Sequence, residues 1–305
     1  MTDAPTDPVT QKSTPIAAAT LALLREGSEG PEVLMIRRRE SLAAFGGLWV
    51  FPGGKLEAAD RVHAEHLRTQ SQALELAQNT AQHSTETLPS RLAALRETFE
   101  ETGLLLATSS NPSFTERYQR HVADWRVGVT RDAFAFQSLL RAEQAHLAIE
   151  TLAYWTRWLP PSETPKRFDT DFYVACAPDT QAVVVDASES IEYRWLPFDD
   201  AESIATHCAP VTLFMLLHLR LEYDRHGSVA ALLSAALQRT PRTVTVRRGV
   251  FNQQRYAVFP WDAHYAALSG EGEAWAESER ASMHGLPSRL TIRDGLFKGE
   301  DTPKN

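Results

Sequence analysis

The chain has 305 residues, 43% apolar and 23% charged, enough to bury a full core as one elaborated domain. A formal net charge of −8 argues against general nucleic-acid affinity, which needs a surplus of clustered Lys and Arg, so an anionic partner has to be held locally. Two cysteines, Cys176 and Cys208, exclude a disulfide framework and lack metal-ligand spacing, and the best apolar run, 211–219, falls short of the roughly 18 to 20 residues of a membrane span.

Residues 1–15 are polar and rich in Pro and Thr, with no apolar signal core, and read as the disordered leader of a cytoplasmic protein. Apolar runs at 16–24 and 32–39 predict two strands joined through Gly27-Ser28-Glu29-Gly30-Pro31, a hairpin signal. A short strand at 48–51 enters a Pro52-Gly53-Gly54 loop. Residues 61–90 are polar and read as an insertion, with a helix over 64–78 and a stop at Leu88-Pro89-Ser90. An amphipathic helix is predicted over 91–102, ended by Gly103 as its C-cap. A helical stretch follows at 130–142, extended through 144–146.

Strands are predicted at 152–159 and 167–177, with Cys176 a buried residue of the second rather than a nucleophile. Another ends at Trp195-Leu196-Pro197-Phe198-Asp199-Asp200, and 210–225 is a strongly apolar helix. From residue 241 the pattern is β-rich, with short strands at 243–246, 255–259 and 290–293, a turn at Gly249-Val250-Phe251-Asn252, and a frayed end at 299–305. Arg239, Arg242, Arg247 and Arg248 form a local basic cluster. It is either a phosphate-facing patch or a solvated edge strand whose charges block pairing. Helices on both faces of a mixed sheet give an α/β/α sandwich. The division expected is a leader at 1–15, a main domain at 16–238 and a C-terminal extension at 239–305.

The chemistry concentrates in Leu95-Arg96-Glu97-Thr98-Phe99-Glu100-Glu101-Thr102-Gly103-Leu104. Glu97, Glu100 and Glu101 fall at i, i+3 and i+4 on one side of a helix, with Leu92, Leu95 and Phe99 opposite. Like charges at this spacing destabilise a helix, so a protein that keeps them together gains by holding a cation. The alternative is a solvated acidic face. Upstream, Trp49-Val50-Phe51-Pro52-Gly53-Gly54-Lys55-Leu56-Glu57-Ala58-Ala59-Asp60 places a tight glycine loop six positions before an acid, where backbone carbonyls can approach an ion.

Together these segments resemble the Nudix box: a Gly, five residues, a Glu, seven residues, then Arg-Glu-aliphatic-any-Glu-Glu-any-Gly-aliphatic. Arg96, Glu97, Glu100, Glu101, Gly103 and Leu104 fall on its positions. Thr98 replaces an aliphatic residue, Asp60 replaces the first Glu, and 35 residues separate Asp60 from Arg96 where the motif has seven. A surface insertion can leave the two halves in register, because loop-closure entropy grows slowly with length. The split box, Trp155-Thr156-Arg157-Trp158-Leu159-Pro160-Pro161 and Pro165-Lys166-Arg167-Phe168-Asp169-Thr170-Asp171-Phe172-Tyr173 are similar to the coenzyme A diphosphatase-like branch of that superfamily. The resemblance spans 17–218.

The resemblance implies a Nudix-type fold and a metal-dependent hydrolase of a pyrophosphate bond in a small-molecule nucleoside diphosphate derivative. Coenzyme A or acyl-coenzyme A is the foremost substrate, and ADP-ribose or another dinucleotide stays open. A non-catalytic nucleotide-sensing module is the reading from another class; such modules usually lose metal carboxylates. It also implies Mg2+ or Mn2+ held by Glu97, Glu101 and Glu100 with the carbonyl of Gly54, and Arg96 orienting a carboxylate such as Asp60. The general base is sought in Asp186-Ala187-Ser188-Glu189-Ser190-Ile191-Glu192, with Glu189 first and Glu192 second. Arg38, Arg39 and Arg167 are candidates for phosphate contact or for structure. The sequence is silent on oligomeric state.

Overall fold

The computed structural model describes residues 13–42, 44–69, 84–164, 166–185, 188–293 and 296–299. In chain order, β1 (Ile16–Gly27) turns into β2 (Gly30–Arg38), followed by β3 (Trp49–Val50), β4 (Gly53–Lys55), α1 (Ala58–Thr69) and α2 (Leu88–Thr102). Next come β5 (Ala107–Ser109), α3 (Phe114–Arg131), α4 (Phe134–Ala142), β6 (Ala145–Leu147), β7 (Ala153–Leu159), β8 (Phe168–Cys176) and β9 (Ser190–Pro197). The remainder is α5 (Pro210–His226), α6 (Val229–Gln238), β10 (Arg242–Thr245), β11 (Arg247–Phe251), β12 (Gln254–Val258), α7 (Glu277–Ala281), β13 (Arg289–Arg293) and β14 (Leu296–Gly299).

The almost unbroken apolar run of β1 makes it the centre of the main sheet, buried on both faces. Ala19, Leu21 and Leu23 pack on one side with Leu88, Leu92 and Leu95 of α2. Ala22 and Leu24 pack on the other with Leu213, Phe214 and Leu216 of α5 and Leu232 of α6. The sheet runs β10-β7-β8-β1-β2-β3, with β4 on β1 and β9 on β2. β1 is parallel to β8 and β10 to β7, while β1–β2, β7–β8 and β2–β9 are antiparallel. This is an α/β/α sandwich around a mixed sheet. The C-terminal residues add a four-stranded sheet, β11-β12-β13-β14, and share the core of α5 and α6 through Val244, Phe259, Trp261 and Trp275.

Several local expectations are corrected. The helix of this region begins at Ala58 rather than residue 64, and residues 70–78 of the expected helix lie outside the described residues. Pro89 starts α2 instead of stopping the insertion, because the missing amide of proline goes unused in a first helical turn. α3 and α6 were not foreseen, and Gln144, at φ 51, turns the chain into β6 where helix was expected to continue. Gly249 to Phe251 lie in strand β11, and the turn falls one step later at Asn252 and Gln253, whose φ values of 49 and 65 suit a two-residue hairpin.

The basic cluster sits on edge strands, as the second expectation had it, with Arg242 on β10 and Arg247 and the exposed Arg248 on β11, but most of its guanidiniums are engaged. Arg239 lies 3.7 Å over the Trp155 ring, Arg242 pairs with Glu279, and Arg247 donates to the carbonyls of Tyr265, Leu268, Glu271 and Gly272. Cys176 is exposed at the end of β8, with its thiol pushed up by partial burial and by Asp179 and Glu26. Of the expected leader, residues 1–12 lie outside the described residues, and the Ser13 hydroxyl donates to the Thr164 carbonyl at 2.7 Å. Residues 300–305 of the frayed end also lie outside them. Among the described residues no helix is long and apolar enough to cross a membrane.

Candidate active site

The glycine loop reaches α2 because β4 pairs with the middle of β1, Gly53 opposite Thr20 and Gly54 opposite Ala19. Gly53 admits no side chain, and Gly54 admits one only by displacing Glu97. A Cβ on Gly53, whose φ is 156, would strike the Ala19 carbonyl and Thr20, and one on Gly54 would strike the Glu97 carboxylate. The Gly53 amide donates to Glu101 at 2.8 Å, so the loop grips the last turn of the helix directly. Immediately downstream, α1 opens with Asp60 in its first turn, accepting from the Glu57 amide at 2.9 Å.

Arg96 joins the two halves. Its Nε and Nη2 each donate to Asp60 at 2.9 Å in a bidentate pair, and both side chains are buried. Nη1 donates to Glu97 at 3.0 Å and Glu100 at 2.8 Å, and Nη2 also reaches the Lys55 carbonyl at 3.1 Å. Burial opposes the charge of Arg96, but Asp60, Glu97 and Glu100 hold its pKa above the ordinary value.

Among the described residues, Asp60, Glu97, Glu100 and Glu101 pair with two guanidiniums, those of Arg96 and Arg38. Burial pushes Glu97 up to about 7, opposed by Arg96 and reinforced by Glu100. Glu100 is raised by burial as well, and Glu101 is raised well above its ordinary range by burial and then by repulsion from Glu97. Buried, hard oxygen donors with surplus negative charge suit a divalent cation such as Mg2+ or Mn2+. Among the described residues no three His, Cys, Asp or Glu side chains are gathered into a ready-made ion cage; Arg96, Arg38 and the Gly53 amide hold the carboxylates instead.

Of the other candidates, Arg38 belongs to this cluster. Its Nη1 donates to Glu101 at 3.2 Å, its Nη2 stands 3.9 Å from Glu189, and its buried Nε has no hydrogen-bond partner among the described residues. Glu189 is brought near by β9 pairing with β2, and its carbonyl accepts from the Arg39 amide at 2.8 Å. Glu192 is directed to Arg37 at 3.1 Å instead. Arg167 is buried elsewhere, donating to the Pro160 carbonyl and pairing with Glu271. Sequence reasoning missed the Gly53 amide, and also Arg126 of α3, which donates to the Glu100 carbonyl at 2.7 and 3.1 Å. No local pattern marks Arg126; the sole hint is a long cation on a helix that follows the box.

The family model described as the NUDT19 Nudix domain matches residues 11–207, well over half of the chain. The chain belongs to that family. Its glycine loop and α2 are therefore the two halves of a Nudix box, split by the insertion that opens with α1. Acyl-coenzyme A diphosphatase NUDT19 of Xenopus laevis is 27% identical over 210 residues, covering 58% of this chain and 55% of that protein. The Homo sapiens protein of the same name is 29% identical over 201 residues, covering 55% and 54%. The chain thus spans about half the length of these curated relatives. A NUDIX hydrolase from Alicyclobacillus acidocaldarius shares the fold at a TM-score of 0.58 and 20% identity, over 73% of this chain and 96% of that chain.

Proposed function

We propose that the chain hydrolyses the phosphoanhydride of a nucleoside diphosphate derivative. The substrate is coenzyme A or an acyl-coenzyme A, and the products are adenosine 3′,5′-bisphosphate and a phosphopantetheine. The observation that carries this reading is the closure of the split box, with Gly54 against the Glu97 carboxylate and Arg96 bidentate to Asp60 across the insertion. The names of the curated relatives support the substrate.

A phosphoanhydride resists water chiefly because its oxygens repel a nucleophile. Mg2+ or Mn2+, held by Glu97, Glu101 and Glu100 with the Gly54 carbonyl, would neutralise those oxygens and make a bound water easier to deprotonate. Arg96 holds Glu97 and Glu100 on one side of the helix, from which their carboxylates would turn toward a shared ion. Arg38 holds Glu101 and faces Glu189, which accepts the proton of the attacking water. The unit that carries this chemistry is residues 16–238, with 239–305 an extension whose first strand forms the sheet edge beside β7.

The test is a panel of coenzyme A, acyl-coenzyme A, ADP-ribose and NADH incubated with protein and Mn2+ or Mg2+, with products resolved by chromatography. Adenosine 3′,5′-bisphosphate release supports the reading. Preferential cleavage of ADP-ribose would reassign the substrate, and binding without cleavage would replace the enzyme by a nucleotide-sensing module. Glu101→Gln is expected to abolish turnover with an unchanged circular-dichroism spectrum, and retained turnover would remove Glu101 from the essential set.

A further inference from the structure

Away from the carboxylates, the sheet carries a group of aromatic and cationic side chains that the reaction as described does not use. Phe45 is 44% exposed and sits at φ 56, a backbone region that aromatic residues rarely adopt. The residues after it hold it there. A Cβ on Gly46 would strike the Glu40 and Leu42 carbonyls, Gly47 turns at φ 76 with its amide on the Arg38 carbonyl at 3.0 Å, and the Leu48 amide closes on the Phe45 carbonyl at 3.1 Å. The Phe45 ring meets that of Phe168, the half-buried first residue of β8, with centroids 6.4 Å apart and planes tilted by 40°. The Lys166 ammonium lies 5.9 Å from the centre of the Phe168 ring.

Strand register places this group relative to the box. β1 pairs Ile16 with Phe168 on one edge, and Ala18 with Lys55 and Ala19 with Gly54 on the other. Phe168 therefore lies three residues along β1 and two strand spacings across from Gly54, roughly 10 Å in each direction. Ile16 and Ala18 share a face of the pleat, so Lys55 rises on the same face as Phe168. Among the described strands β4 pairs with β1 alone, and the Gly53 amide leaves its other edge for Glu101. A diphosphate lying along that edge can send its nucleoside onto the Lys55 and Phe168 face, a gap of the order that a ribose and its 5′-phosphate bridge. Five of the 31 Lys and Arg residues are lysines. Lys55 and Lys166 are exposed and in no ion pair among the described residues, whereas the neighbouring Arg157 and Arg167 are spent on Asp169 and Glu271. Uncommitted ammonium groups beside aromatic faces suit a ligand that joins a planar base to phosphate.

We propose that Phe45, Phe168 and Lys166 form the subsite for the adenosine 3′-phosphate end of the substrate, the adenine stacking on the aromatic pair and Lys166 holding the 3′-phosphate. This rests on the diphosphatase reading above and adds to it a source of selectivity. Stacking accepts any planar base, so the cation does the discriminating: ADP-ribose carries no 3′-phosphate for Lys166 to hold, and coenzyme A does.

The experiment measures binding of adenosine 3′,5′-bisphosphate and of adenosine 5′-monophosphate by calorimetry with Mg2+, to the full chain as wild type, Phe45→Ala, Phe45→Tyr and Lys166→Gln, with thermal midpoints on the same preparations. Phe45→Ala is expected to weaken both ligands about tenfold, because both stack, and Phe45→Tyr, which keeps the plane, to stay within about twofold of wild type. Lys166→Gln is expected to weaken the bisphosphate about tenfold and the monophosphate by less than about twofold. Unchanged affinity in Phe45→Ala, equal weakening of the two ligands in Lys166→Gln, a loss matched by a lowered midpoint, or a wild type without preference for the bisphosphate would each overturn the proposal. Cleavage of acyl-coenzyme A by a protein that fails these binding tests removes only the subsite; binding as expected without cleavage removes the hydrolase and leaves the subsite standing.

Discussion

Arg96 makes five hydrogen bonds while 2% exposed, four to carboxylates, of which two are to Asp60 and one each to Glu97 and Glu100, and one to the Lys55 carbonyl. A single residue thereby fixes the spacing of acids that would otherwise repel one another. Gly54 sets the limit on the opposite side. Gly54→Ala must move the Glu97 carboxylate, and kcat is expected to fall about 100-fold, read by steady-state kinetics with Mn2+; unchanged kcat would show that Glu97 has room to spare. Thr98 occupies the motif's aliphatic position with its hydroxyl buried and without a partner among the described residues. Thr98→Val keeps the shape and removes the orphaned hydroxyl, so stability to urea should rise by about 1 kcal/mol with activity retained. A loss of stability would mean the hydroxyl has a partner after all.

At the scale of the element, α2 is more enclosed than an amphipathic helix. Leu92 and Leu95 pack on the sheet, Phe99 packs on Tyr118 and Phe136 beneath α3 and α4, and Glu101 is buried against the Gly53 amide and Arg38. Leu95→Ala, which opens a cavity between helix and sheet, should cost about 3 kcal/mol in a denaturant melt; a cost under about 1 would mean the helix can settle into the gap. The position of this helix was legible in the sequence because its apolar spacing and Gly103, at φ 75, both mark it. The apolar runs of β1, β2, β7 and β8 were legible for the same reason. α3 was missed although Phe114, Tyr118, Val122, Trp125 and Val129 recur at helical spacing and pack with Phe99 and Phe136; the stripe is narrow, only Tyr118, Arg126 and Val129 of the 18 residues are buried, and polar residues fill the rest. The Asn252-Gln253 turn lacks the glycine that usually announces a hairpin. Arg38 could not be assigned from local pattern, because its partner Glu101 lies 63 positions away.

Across the whole molecule, two buried neutral histidines link stability to pH. Burial pushes His63 down to about 4, partly offset by Asp60, and holds His218 well below its ordinary value. The Trp155 indole donates to His218 Nδ1 at 3.0 Å, a bond that a doubly protonated ring cannot accept. Both titrate near 6.5 in the unfolded chain, which therefore binds more protons than the folded one between about pH 6.5 and 4. Stability is full above that window and declines as pH falls through it. His63 alone should remove about 2 kcal/mol between pH 7 and pH 5, measured by urea melts. His63→Gln should shrink the difference by that amount, and an undiminished difference would exonerate His63.

The pairing of β1 with β8 joins Ile16 to Phe168 and Leu24 to Cys176, in parallel, across some 150 intervening residues. Parallel pairing at such separation forms slowly, because the ends of a long loop must meet before any contact rewards them. A ribosome therefore releases the earliest strand long before its neighbour exists. During that interval β1 can pair with β2 and β4, yet its other edge waits, and the strand bearing the approach of Glu189 to Arg38 emerges later still. A chain stalled before residue 190, about three-fifths of the way along, lacks β9 and should be inert and prone to recruit stray strands onto its open edge.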